Sequence, residues 1–302
     1  MNHILIHVLL LVGLPPLLIG VIGKTKALFA GRVGPPFLQP YYDLAKLFQK
    51  GSVFSTTTTW VFRAGPVVGL ATALLAGLLL PFGGHPAPMS FSGDLILFAY
   101  LFALGRFFTA AAALDTGSAF EGMGSAREVT FSCLAEPALF FGFLVLARLS
   151  SSLSLNTMLA GSCASGMGAA LPSLVLVAAS LFVVLLVENS RIPFDDPNTH
   201  LELTMIHEVM VLDHSGPAFG MILYGASVKL FVMGALFLGV VMPFRSGNAW
   251  IDWGGFVAGM LGLAVVIGVV ESVMARFRMV FVPTFLVAAC LLSAFGVVLL
   301  LR

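Results

Sequence analysis

Between residues 3 and 301 the chain contains eight apolar runs of about twenty residues, at roughly 3–22, 65–82, 95–114, 131–149, 169–187, 218–242, 254–274 and 280–301. About 20 such residues, wound as a helix, match the hydrocarbon thickness of a bilayer. Within lipid a backbone must satisfy its own hydrogen bonds, so a run of this kind is constrained to be helical. Charged residues make up 10% of the chain and its mean hydropathy is +1.04, against about a quarter charged in a soluble domain. Too little polar surface is left to cover a water-soluble body. The prediction is a single all-α membrane domain over 1–302, with eight transmembrane helices and amphipathic loop helices between them.

A net charge of +1 gives no basic field suited to nucleic acid. Cys133, Cys163 and Cys290 lie far apart without a C-x-x-C pair. They are therefore expected to pack as small residues rather than to hold zinc or an iron–sulfur cluster, and no metal or cofactor is expected on this chain. The run from Ile4 to Ile22 lacks a basic leader and is followed by Lys24 and Lys26, so it reads as a retained span and not as a signal peptide.

Lys and Arg set orientation. Lys24, Lys26, Arg32, Lys46, Lys50, Arg63, Arg127, Arg191, Arg276 and Arg278 follow the first, third, fifth and seventh runs, whereas only Arg148, Arg245 and Arg302 lie on the opposite side. The expectation is a multi-pass protein of the cell membrane, with its long polar loops cytoplasmic and both termini outside. The opposite loops, GGHPAPMSFSG and SSSLSLNTMLAGSCASG, read as plain connectors, and the TTTT tract at 56–59 as an ordinary loop.

Three cytoplasmic loops are substantial, 23–64, 115–130 and 188–217. The last, ENSRIPFDDPNTHLELTMIHEVMVLDHSGP, gathers six acidic residues and three histidines. Gly23-Lys24-Thr25 lacks the upstream glycine of a phosphate loop, and His207-Glu208 lacks the second histidine of a zinc-protease helix, since position 211 is Val211. His200, His207 and His214 recur every seven residues, as along one helix face, and are better read as interfacial than as a proton path. Pro193 should end a helix. Asp196-Pro197 should open another through about Leu212, amphipathic and lying on the membrane face. Loop 27–50 should break at Gly34-Pro35-Pro36 and then run amphipathic through Leu44, Leu47 and Phe48.

Arg106, Glu136, Lys229 and Glu271 fall inside apolar runs, with Asp115 and Glu188 at their inner ends. An unpaired charge at the centre of a bilayer costs at least about 2.5–3.5 kcal/mol, so these groups should face the bundle interior and pair. A connected set leaning to one membrane face is expected to relay protons as well as to hold the helices together.

The segments GRVGPPFLQPYYDLAKLF, ALDTGSAFEGMGSAREVTFSCLAEP and ENSRIPFDDPNTHLELTMIHE carry a resemblance. So does the pattern of Glu188, Arg191, Pro193, Phe194 and Asp195. The chain resembles, over essentially its whole length, the NADH dehydrogenase subunit 1 family, the heel subunit of respiratory complex I. LDTGSAF, SAREV and DPNTHLELTMIHEVMVL make it more similar to the branch found in group 4 membrane-bound nickel–iron hydrogenases, such as formate hydrogenlyase subunit 4. Its first loop, KTKALFAGRVG, departs from the Glu-Arg-Arg-type opening of the quinone-reducing branch.

The resemblance implies a membrane anchor, part of an oxidoreductase complex but with no redox centre of its own. Partner hydrogenase large and small subunits and an iron–sulfur protein would hold the iron–sulfur clusters and the nickel–iron centre. Antiporter-like membrane subunits would be its neighbours in the lipid, and electron transfer would be coupled to proton or sodium movement. By motif position Glu136, Glu188, Asp195 and Glu202 resemble carboxylates of the coupling region, joined by Arg106, Asp115, Lys229 and Glu271. Arg32, from the first-loop motif, with Arg127, Arg191 and Glu208, is assigned to docking. The alternatives are a complex I subunit proper, with a quinone pocket, and an independent secondary transporter.

Overall fold

The computed structural model describes residues 2–161, 167–195, 205–242 and 246–301. Eleven α-helices and no named strand are found among them. They are α1 (Asn2–Gly13), α2 (Pro15–Phe29), α3 (Gln39–Phe48), α4 (Trp60–Leu79), α5 (Asp94–Asp115), α6 (Ala119–Ser150), α7 (Leu155–Gly161), α8 (Met167–Glu188), α9 (Gly216–Val241), α10 (Ala249–Val273) and α11 (Val282–Leu300). Seven are long and apolar enough to cross a membrane, and α1 with α2, bent by 46°, brings the number of spans to eight.

The bend has a local cause. Pro15 and Pro16 carry no N–H, so the carbonyls four residues before them lose their helical donors. The Leu17 N–H turns to Leu14 O at 3.0 Å. Two side chains meet the freed carbonyls, with the Tyr224 hydroxyl donating to Val12 O at 2.8 Å and the Tyr41 hydroxyl donating to Gly13 O.

Helices approach closely where small residues face each other, as membrane packing requires. A Cβ at Gly65 would lie 2.8 Å from that of Ala112, and one at Gly105 would lie 2.6 Å from the Thr72 hydroxyl, so α4 and α5 meet nearly backbone to backbone. Tyr100, Phe107, Trp250 and Leu291 instead face outward, where acyl chains replace water as the surrounding solvent.

Polar contacts sort the loops onto two ends of the bundle. At one end Val53 meets Ser215, Thr59 meets Asp115, Arg127 meets Met205 and Asp195 meets Arg276. We call this the basic end. At the other, His85 stacks between His3 and Trp253, Asp94 accepts from the Leu155 N–H at 2.7 Å, and Asp252 accepts from the Ser246 N–H at 2.7 Å. Runs one, three, five and seven thus share an exit face.

Several sequence expectations are corrected. Loop 115–130 is mostly helix, because α6 starts at Ala119 and runs for 32 residues. The second span begins at Trp60, and the last residue of the threonine tract caps it: the Thr59 hydroxyl accepts from the Val61 N–H. The 150–166 connector contains α7, with Leu155 and Met158 fully buried. Loop 27–50 conforms, with α3 starting beyond the Gly-Pro-Pro break. No continuous helix reaches Leu212, since residues 205–215 form a strap with one short 3₁₀ turn at Glu208–Val211. His207 and His214 therefore share no helix face. His200, Glu202, the Asp196-Pro197 cap and Cys163 lie outside the described residues.

Candidate functional site

Four helices bring four ionisable side chains into one line. The Arg106 guanidinium on α5 donates from Nη1 to Glu136 Oε1 on α6 at 2.5 Å. From Nη2 it donates to Glu188 Oε1, at the end of α8, at 2.9 Å. Lys229 on α9 closes the line, Nζ to Glu188 Oε2 at 2.8 Å. Two carboxylates balance two cations, as a low-dielectric interior demands. Glu188 faces two cations and has a side chain 8% exposed; Glu136 faces one and is 41% exposed, on the outer flank between α5 and α6.

Two small cavities border this line. One of about 100 Å³ is lined by Arg106, Glu128, Glu188, Asn189, His207 and Lys229, among others. The second, about 120 Å³, reaches from Arg106 and Glu188 past Glu136 to Tyr100 and Phe140 on the flank. Each has room for several waters at about 30 Å³ apiece. Arg106 Nε and Asn189 Oδ1 are buried with no protein partner among the described residues, which gives such water polar groups to bind.

A second cluster joins α2 to α10. Lys26 Nζ lies 2.9 Å from Glu271 Oε2, and Arg191 Nη1 lies 3.4 Å from Glu271 Oε1. A third fixes the strap: Asp195, 2% exposed at its side chain, pairs with Arg276 at 3.3 Å and accepts from the N–H groups of Ile206 and His207 at 3.1 and 3.3 Å. Arg127 donates to Met205 O at 3.0 Å, and Glu121 accepts from the Asp213 N–H at 3.1 Å.

Of the residues singled out in the sequence, Glu136, Arg106, Glu188 and Lys229 meet directly. Glu271 sits with Lys26, and Asp195 anchors the strap beside them. Asp115 stands apart, accepting from the N–H groups of Thr59 and Phe62 to hold the start of α4. Arg191 turns inward to Glu271, Arg127 is committed to the strap, and Arg32 is exposed in the first loop. Glu208 lies within the strap, at the start of its 3₁₀ turn. Burial raises its carboxyl above the usual range; neighbouring His207 opposes the rise, Asp195 adds to it and Arg191 opposes it. Sequence reasoning missed Glu128 as a cavity-lining carboxylate. Its signal was spacing, because Glu128, Ser132 and Glu136 recur every four residues along one face of α6.

The strap contains a pH-sensitive contact. The His214 ring stacks on Phe62 with centroids 3.9 Å apart, and burial lowers its pKa to about 4, with Asp213 opposing. A histidine whose folded pKa lies below its unfolded value loses stabilisation as pH falls from about 6.5 towards 4, by about 1.4 kcal/mol per unit at most. Proteolysis at 205–215 is therefore expected to speed up over that range. His214→Phe, which keeps the stack, should flatten the profile; an unchanged profile would discount the contact.

Residues 1–302 match the NADH dehydrogenase family from end to end. The chain belongs to the NADH dehydrogenase family. Formate hydrogenlyase subunit 4 of Escherichia coli (strain K12) is 33% identical over 291 residues, covering 92% of this chain and 92% of that protein. Hydrogenase-4 component C of the same organism is 34% identical over 240 residues, 80% of this chain and 75% of its own length. A chain of the membrane-bound sulfane sulfur reductase, an archaeal respiratory membrane complex, shares the fold with a TM-score of 0.83 at 21% identity, over 97% of both chains. As an NADH dehydrogenase family member, this is a multi-pass membrane subunit of an oxidoreductase complex. The charged line joins α5, α6, α8 and α9 of this chain, running from buried Glu188 to half-exposed Glu136.

Proposed function

We propose that the chain is the membrane anchor and ion-coupling subunit of a complex of the group 4 nickel–iron hydrogenase or formate hydrogenlyase type. One observation carries this reading: Glu136, Arg106, Glu188 and Lys229 form an unbroken line from the bundle interior to a half-exposed carboxylate on its flank. A carboxylate left half open at bilayer depth is costly unless a neighbour covers it. That flank is accordingly where an antiporter-like membrane subunit would receive the ion.

The peripheral redox arm docks on the basic end. Its hydrogenase large and small subunits and iron–sulfur protein hold the nickel–iron centre and iron–sulfur clusters, and this chain contributes no redox centre. Arg32 beside Val33, which is 85% exposed, offers a cation and an apolar contact there, whereas Arg191 and Arg127 serve from within. By the Lys/Arg bias the basic end is cytoplasmic and both termini are outside. A cysteine at Ser92 should then label from outside the cell and one at Val33 only from the cytoplasm; the reverse pattern would refute the orientation.

Glu136→Gln tests the coupling itself. It keeps the side chain's shape and one hydrogen-bond acceptor for Arg106 but cannot carry a proton. Complex yield should hold while proton or sodium uptake into vesicles per turnover falls sharply. Normal uptake with normal yield would remove Glu136 from the ion path.

A further inference from the structure

The break in the first span is held by hydroxyls from two other elements. Leu11 O and Val12 O face Pro15 and Pro16, which cannot donate, and the Leu17 N–H has gone to Leu14 O. In a membrane such carbonyls need another donor. Tyr224 on α9 supplies one to Val12 O at 2.8 Å. Tyr41 on α3 supplies one to Gly13 O, the carbonyl that the Leu17 N–H has left, so this phenol meets the gap in the helix ladder.

Each tyrosine comes from an element with a role elsewhere. α3 is the amphipathic helix of the docking face; the Phe37 carbonyl preceding it lies so near α2 that a Cβ at Gly20 would sit 2.0 Å from it. Farther along, Leu47 packs on Gly220 of α9. Tyr224 lies on α9 little more than one turn before Lys229, and the Ser227 hydroxyl donates to Tyr224 O at 2.7 Å. Beyond the break, α2 carries Lys26 to Glu271. The bend is therefore a junction between the docking helix, the helix bearing Lys229 and the helix bearing Lys26.

We propose that the break in the first span is a hinge, and that Tyr41 and Tyr224 are positioning residues tying it to α3 and α9, so that a load on the docking helix is passed to the helix carrying Lys229. This rests on the docking and coupling reading above. An uninterrupted span would need neither hydroxyl, and a break serving only to bend the chain would not need one from the docking helix.

The test uses the whole complex in membranes, with Cys133, Cys163 and Cys290 replaced by Ser and spin labels at the outward-facing Leu9 and Leu28, either side of the break. Removing the peripheral arm should shift the Leu9–Leu28 distance distribution. Tyr41→Phe with Tyr224→Phe keeps both rings but removes both hydroxyls. It should broaden the distribution, abolish the arm-dependent shift, and lower ion uptake per turnover by about two- to thirty-fold. If the double variant assembles poorly, Tyr41→Phe alone carries the same expectation and the same refutation. Unchanged distances and uptake in the tyrosine variants, with uptake lowered in Glu136→Gln, would overturn the hinge and leave the coupling reading standing. Unchanged uptake in Glu136→Gln as well would bring down the coupling reading and the hinge with it.

Discussion

Replacing Glu188 with Ala is expected to strip the assembled complex from membranes. The carboxylate sits between Arg106 at 2.9 Å and Lys229 at 2.8 Å, with its side chain 8% exposed. Its loss leaves two cations facing each other across a cavity of about 100 Å³. Breaking a buried pair costs about 3–5 kcal/mol, because the surviving charge has nowhere to be solvated. That is a large share of a total stability of about 5–15 kcal/mol. Adding Lys229→Met should recover much of the yield, because Arg106 then still has Glu136 and no cation is left over. The measurement is the amount of complex retained in membranes for each single variant and the pair. Wild-type yield for Glu188→Ala alone would show that water in the cavity solvates both cations.

Asp195→Ala should release the strap with a cost of similar size. Asp195 neutralises Arg276 at 3.3 Å and accepts two backbone N–H groups, those of Ile206 and His207. Alanine removes the counter-ion and leaves two inward donors short of an acceptor, at about 1–3 kcal/mol for each buried group left unsatisfied. Asn keeps an acceptor but not the charge, so the expected order of loss is Ala, then Asn, then the parent chain. Faster cleavage within 205–215, in that order, checks the argument; equal rates for all three would assign the strap's hold to Arg127 and Glu121.

How much of this was legible beforehand depends on what each residue answers to. Apolar runs announce spans because lipid selects on hydropathy alone, so all eight spans were readable, and the run through Leu44, Leu47 and Phe48 could be read as amphipathic. Hydropathy reports contact with lipid, however, and not helicity. Glu121, Arg127 and Glu128 interrupt the apolar run without interrupting α6, which therefore begins well before the predicted span. In the same way, Leu14-Pro15-Pro16 is apolar throughout and hides a break that is plain from the missing N–H groups.

Charges inside spans declared that they must pair, but not with whom. Arg106 and Glu136 are 30 residues apart, close enough to suspect across adjacent helices, whereas Arg106 reaches Glu188 across 82. The inward turn of Arg191 to Glu271, 80 residues away, is equally a property of packing, which no local pattern encodes. Thr59 looked like filler because its role, capping α4 under Asp115, exists only once the two chain segments meet.

The length of α6 has a consequence for the shape of the molecule. Its 32 residues rise about 48 Å, close to the full thickness of a bilayer with its headgroups, about 40–45 Å. α10, with 25 residues, rises only about 38 Å, a little short of that full thickness. α6 is therefore longer than α10 by about 10 Å. The first turns of α6, which precede its apolar stretch, carry Glu121 and Arg127, and these turns are therefore a shelf of helix to which the strap is bonded.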